Sequence, residues 1–229
     1  MDGITCVRCL LIVLLFTVGK SSAAYNMHFF LPDFPPYTVV DEQGNFSGIG
    51  LDEVKPILDS MGVKYTIQIG SKHGRALSEL RGGRSDGFFM ASQNEQRDEY
   101  AVFSESVMIN RWVWVVLRKN SPNFHASAKG NYTMASLLNA NTNYWLEHSG
   151  YQTVRPAMNI NALVEKLDSG EVDAILVAEE VFNSEFVNDA RYKVSLHSER
   201  EFGIYISKAF LKDNPDFMEK LNSAIRERR

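Results

Sequence analysis

Two stretches of the chain repeat one local pattern at the same spacing. Leu80-Arg-Gly-Gly83-Arg-Ser-Asp86-Gly87 is matched by Leu167-Asp-Ser-Gly170-Glu-Val-Asp173-Ala174. In each, an apolar helical repeat stops on a glycine, a turn follows, and an aspartate enters an apolar run. Glycine supplies the left-handed helix stop, and the aspartate is expected to bond its local turn. Junctions of this kind belong to α/β proteins, and two copies predict two related lobes.

The rest of the chain fits that frame. Asn26 to Leu31 reads as a strand, and Asp33-Phe-Pro-Pro-Tyr37 as a stiff loop, because two prolines bar regular structure. Leu51, Val54, Ile57, Leu58 and Met61 recur at helical spacing before Gly62, and Lys64 to Ile69 alternates as a strand. A helix over 75–80 and a strand over 86–90 complete a strand-helix-strand-helix-strand order, which implies a parallel sheet. The second half repeats it. Helices are expected at 134–138, 160–167 and 179–186, and strands at 172–177, 192–196 and 202–206. An apolar run over Trp112 to Leu117 leaves the first lobe, and a helix over 215–228 closes the chain.

At the N-terminus, residues 10–18 form an apolar run too short to span a bilayer. It follows Arg8 and precedes Ser22-Ala23-Ala24, so residues 1–24 read as an export signal and the product as an exported protein. Both cysteines, Cys6 and Cys9, fall within that segment. The formal net charge of −4 gives no basic excess of the kind that marks a nucleic-acid binder. The histidines show no ligand spacing, and no P-loop, dinucleotide glycine pattern or nucleophile elbow occurs. No cofactor, metal or nucleic acid is expected.

Several local motifs occur together in a known order. Phe34-Pro-Pro-Tyr37 precedes Gly48-Ile-Gly50-Leu-Asp52; Gly83-Arg-Ser-Asp86-Gly87 precedes Ser92-Gln-Asn-Glu-Gln-Arg97 and Phe103-Ser104-Glu105; Gly170-Glu-Val-Asp173-Ala174 comes later. In this order they resemble bacterial extracellular solute-binding proteins of family 3, over essentially all of residues 25–229. The resemblance implies the type II periplasmic binding fold: α/β, two-lobed, each lobe a mostly parallel sheet flanked by helices, with a ligand cleft between the lobes. It implies crossover strands near 111–118 and 200–207. Lobe 1 would be 25–115 with 202–229, and lobe 2 would be 116–201. The protein would be a periplasmic monomer, not an enzyme, that binds an amino acid or related carboxylate and serves an ABC transporter permease or a sensor.

The resemblance also assigns site residues. Arg97 stands where family members hold the ligand carboxylate, and a guanidinium gives a carboxylate two parallel hydrogen bonds. Ser92 stands where a hydroxyl donates to the same group; read locally, Ser92 and Glu95 also form a capping box. Phe34 and Tyr37 either cover the ligand or pack in the core. Thr142 offers a hydroxyl from the second lobe. The family's aspartate for a ligand ammonium would fall at Ala178, with Glu179 adjacent as a substitute or as a first-turn helix glutamate. Two other readings stay open: a periplasmic dehydratase-like enzyme with Glu179 as general acid, and a diverged sensor or partner-binding module.

Overall fold

The computed structural model describes residues 25–70 and 73–228. The proposed export signal, with Cys6 and Cys9, lies outside the described residues. The chain starts with β1 (Asn26–Pro32), a small hairpin of β2 (Val39–Val40) and β3 (Phe46–Ser47), then α1 (Ile49–Ser60), β4 (Lys64–Gly70), α2 (His73–Arg81) and β5 (Gly87–Ala91). After α3 (Glu95–Asp98) and β6 (Ala101–Phe103), the long β7 (Met108–Leu117) leads into the second half. There β8 (Thr133–Ala135), α4 (Asn141–His148), β9 (Gln152–Thr153), α5 (Ile160–Asp168), β10 (Ala174–Ala178) and α6 (Glu179–Phe186) follow. β11 (Tyr192–Ser207) runs back to the first half, where α7 (Lys208–Asp213) and α8 (Phe217–Arg228) end the chain.

The two halves share one topology. In the first, the order β4-β1-β5 places the earliest strand in the middle; in the second, β9-β8-β10 does the same. Within each trio all pairings are parallel. In the large sheet every antiparallel pairing involves β7 or β11. These two strands pair with each other from Tyr192↔Leu117 to Phe202↔Met108, and the end of β11 continues against β5 and β6. They are the crossovers. The second is one strand rather than two pieces, because its exposed polar stretch Glu199–Glu201 stays paired with β7, after a register shift between Leu196 and Ser198.

The sequence echo has a structural meaning that differs from the expected turn bond. Gly83 and Gly170 take left-handed φ values of 67° and 76°, as helix stops should. The aspartates, however, reach across to the neighbouring strand. Asp86 Oδ2 accepts from the His28 backbone N–H at 2.8 Å, and Asp173 Oδ2 accepts from Thr133 N–H at 2.8 Å. In return Asp86 N–H donates to His28 O, and Asp173 N–H to Thr133 O. Each aspartate therefore pins the entry of the third strand of its trio to the first. Asp86→Ala should cost about 1–2 kcal/mol in urea denaturation, and the more exposed Asp173→Ala less. Equal wild-type stability for both variants would remove this role.

One expected helix is a strand. Residues 134–138 do not coil: Met134 and Ala135 pair with Ala174 and Ile175 of β10, and the helix begins at Asn141. The sheet edge takes these apolar residues and buries both fully. The amphipathic helices behave as their spacing predicts. Leu51, Val54, Ile57 and Leu58 of α1 are buried, as are Phe217, Leu221 and Ile225 of α8, which packs against α1.

Candidate functional site

In open parallel sheets of this order, ligands bind beyond the carboxyl ends of the strands, where the strand order reverses. Both trios present those ends to one cavity. Its lining includes Phe34 after β1, Met90, Ala91 and Ser92 at the end of β5, Leu137 after β8, and Val177 and Ala178 at the end of β10. Asn110 and Trp112 of β7 and Phe202 of β11 complete it from the crossovers. The cavity measures about 40 Å³.

The end of β5 is bent into this cavity by a bulge. Gly203 of β11 pairs with Ala91, but the next residue, Ile204, pairs with Phe89. Met90 is the extra residue, and its φ of 56° lies in the left-handed region. Bulges of this kind redirect a strand end, and side chains forced to positive φ concentrate at functional sites.

Arg97 is the notable group. It is 5% exposed, and its Nη1 donates to Ser92 O at 3.1 Å. The guanidinium carbon lies 5.8 Å from the centre of the Phe88 ring. Among the described residues no carboxylate forms an ion pair with it. Burial pushes its pKa down, against the opposing pull of Tyr205, Tyr100 and Asp98. An arginine nonetheless keeps its proton in a protein. A buried cation without a paired anion is costly, and a negative charge placed beside it would offset that cost.

Ser92 adds a second such signal. The cap of α3 is not Ser92 but Asn94, whose Oδ1 accepts from Arg97 N–H at 2.8 Å. Ser92 Oγ is left buried, with no hydrogen-bond partner. A buried hydroxyl without a partner is uncommon, and of the three such groups among the described residues Ser92 Oγ alone belongs to a residue that lines the cavity; His197 and Ser198 do not.

Phe34, Ser92, Arg97 and Thr142 thus line one cavity, and Tyr37 and Glu179 do not. Thr142 sits in the first turn of α4, its Oγ1 2.6 Å from Ser136 Oγ. Tyr37 is fully buried; its ring stacks on Phe34 and its hydroxyl donates to Asn110 Oδ1 at 3.2 Å. It touches the cavity through its lining residues Phe34, Asn110 and Phe202, the last ring edge-on at 5.2 Å. Glu179 turns aside and faces Arg111 at 3.8 Å. Sequence reasoning missed Asn110, Trp112 and Phe202, whose only sequence signal was their place in the crossover runs.

The lobes touch across the cavity through Asn141. Its Nδ2 donates to Ser92 O at 2.6 Å, and its Oδ1 accepts from Asn94 Nδ2. These bonds join α4 of the second half to the β5–α3 segment of the first. Closure of such lobes around a ligand is a hinge motion, and moving the two halves apart would break both Asn141 bonds. Asn141→Ala should weaken ligand binding about tenfold through faster release. An unchanged dissociation rate by stopped flow would refute that.

Residues 29–229 match the family of bacterial extracellular solute-binding proteins, family 3. The chain belongs to that family. Its fold is the type II periplasmic binding fold. It is similar to the arginine-bound form of the arginine-binding protein ArgBP from T. maritima, at TM-score 0.69 and 21% identity over 88% of this chain and 96% of that one. It is also similar to a histidine kinase sensor domain that resembles periplasmic binding proteins, at TM-score 0.72 and 16% identity over 87% of this chain and 89% of that one. In sequence it is 24% identical over 203 residues to the sensor protein EvgS of Escherichia coli, strains O157:H7 and K12. That match takes in 85% of this chain but only 16% of EvgS. Among the described residues no helix is long and apolar enough to cross a membrane.

Proposed function

We propose that this solute-binding protein captures a small carboxylate, an amino acid or a related acid, between its lobes. The observation that carries this reading is the buried Arg97 guanidinium with no paired carboxylate, beside the partnerless Ser92 hydroxyl. Arg97 would hold the ligand carboxylate in two parallel bonds, and Ser92 would donate a third. Thr142 would approach from the second lobe and Phe34 would cover the ligand. The protein would act outside the cytoplasm, with residues 25–115 and 202–229 as one lobe and 116–201 as the other. No covalent step is needed, and the family is one of binding proteins.

The captured ligand would be handed to a membrane permease or reported to a sensor. The sensor role draws support from the matches to EvgS and to a kinase sensor domain. A thermal-shift screen of residues 25–229 against amino acids, dicarboxylates and cyclic carboxylates tests the reading. A ligand at about 100 times its Kd adds roughly 2.7 kcal/mol of stability. With sugars and simple cations added as controls, a screen in which no carboxylate stabilises the protein would end the carboxylate reading.

A further inference from the structure

The cavity's polar groups are not balanced between donors and acceptors, and this imbalance defines the ligand more narrowly. Resting on the carboxylate-receptor reading above, we propose that the natural ligand is a short-chain monocarboxylate that carries no ammonium group.

The argument begins with the acceptors. An ammonium taken out of water needs an anion or well-placed oxygens around it. None of the lining residues is an aspartate or glutamate. The side-chain amide oxygens in the lining are already engaged: Asn110 Oδ1 accepts from the Tyr37 hydroxyl, and Asn141 Oδ1 accepts from Asn94. Ser92 O accepts from both Arg97 and Asn141. The Thr142 hydroxyl is shared with Ser136.

The donors tell the opposite story. The Arg97 guanidinium is buried without a counterion, and Ser92 Oγ lacks a partner. Opposite them the second half offers Val177, Ala178, Leu137 and Ala140, and the crossovers add Trp112 and Phe202. An anionic head on Arg97 and an uncharged apolar body fit these walls. A cationic group placed against Ala178 would meet a methyl. The carboxylate next along the chain, Glu179, is turned to Arg111.

Size narrows the class further. A cavity of about 40 Å³ corresponds to on the order of three water molecules. That suits a carboxylate with a short carbon chain.

Matched series make the test direct. Calorimetric titration would compare glycine with glyoxylate and acetate, and L-alanine with pyruvate and propanoate. The acids without an ammonium should bind at least tenfold more tightly than the amino acid of the same skeleton, and Arg97→Met should abolish their binding. Ala178→Asp should shift the preference toward the amino acids; circular dichroism would establish that this variant folds, and the wild-type comparison stands without it. If an amino acid binds as tightly as its ammonium-free partner, and does so through Arg97, the receptor reading survives and this inference fails. If neither series binds, this inference fails, and the thermal-shift panel decides the carboxylate reading separately.

Discussion

Arg97→Met should abolish ligand capture and leave the empty protein as stable as the wild type, or more so. The two effects share one cause. Without a ligand the guanidinium is held out of water, bonded to Ser92 O and beside the Phe88 ring, with no ion pair among the described residues. A buried charge without a paired anion carries an uncompensated desolvation cost, so an apolar side chain of similar length in its place should be neutral or stabilising. In the bound protein the same guanidinium is half of a buried ion pair. Deleting one half of such a pair costs about 2–5 kcal/mol, or roughly 30- to 4000-fold in Kd. Titration calorimetry reads the second effect and thermal unfolding without ligand reads the first. A variant that loses both stability and binding would make Arg97 a structural residue instead.

Gly48→Ala should be the most damaging small substitution in the first lobe. Gly48 has φ of 124°, which side chains other than glycine rarely adopt. A Cβ there would lie 2.5 Å from Tyr37 O and 2.7 Å from Pro36 O, both backbone atoms that cannot swing away. The closeness has a purpose. Ile49 N–H donates to Pro36 O at 3.0 Å and Gly50 N–H to Tyr37 O at 2.9 Å. The start of α1 thereby holds the Phe34–Tyr37 loop against the cavity. Strain and collision together should cost about 3 kcal/mol or more. For a chain of this length that lowers Tm by about 6–12 °C. Because Phe34 lines the cavity, binding should weaken as well. A Tm within 2 °C of wild type would show that the loop simply yields.

The frame of the fold was legible because it rests on short-range rules. The glycine stops at Gly83 and Gly170 and the helical spacing of α1, α5 and α8 are local, and the structure shows each of them. Residues 134–138 read as a helix because apolar residues in a short run suit either state. Only the open edge of β10 decides for a strand, and that edge is set far along the chain. The role of Asp86 was misread for the same reason: the acceptor for His28 N–H lies 58 residues away.

The cavity was partly legible. Of the residues the resemblance assigned, Phe34, Ser92, Arg97 and Thr142 line it. Tyr37 and Glu179 do not, because one is drawn inward to stack on Phe34 and the other is drawn outward to Arg111. Asn110, Trp112 and Phe202 were invisible as site residues. They sit on crossover strands, where alternate residues face the cavity only once both strands are paired in register.

The measurement that tests the central claim most directly is a crystal structure of residues 25–229 grown with the strongest-binding carboxylate from the matched series. The account predicts the ligand between the lobes, its carboxylate within hydrogen-bond distance of both the Arg97 guanidinium and Ser92 Oγ. A ligand seated instead in the neighbouring groove of about 510 Å³ beside Arg75, Met158 and Glu185, with Ser92 Oγ still unpartnered, would contradict it.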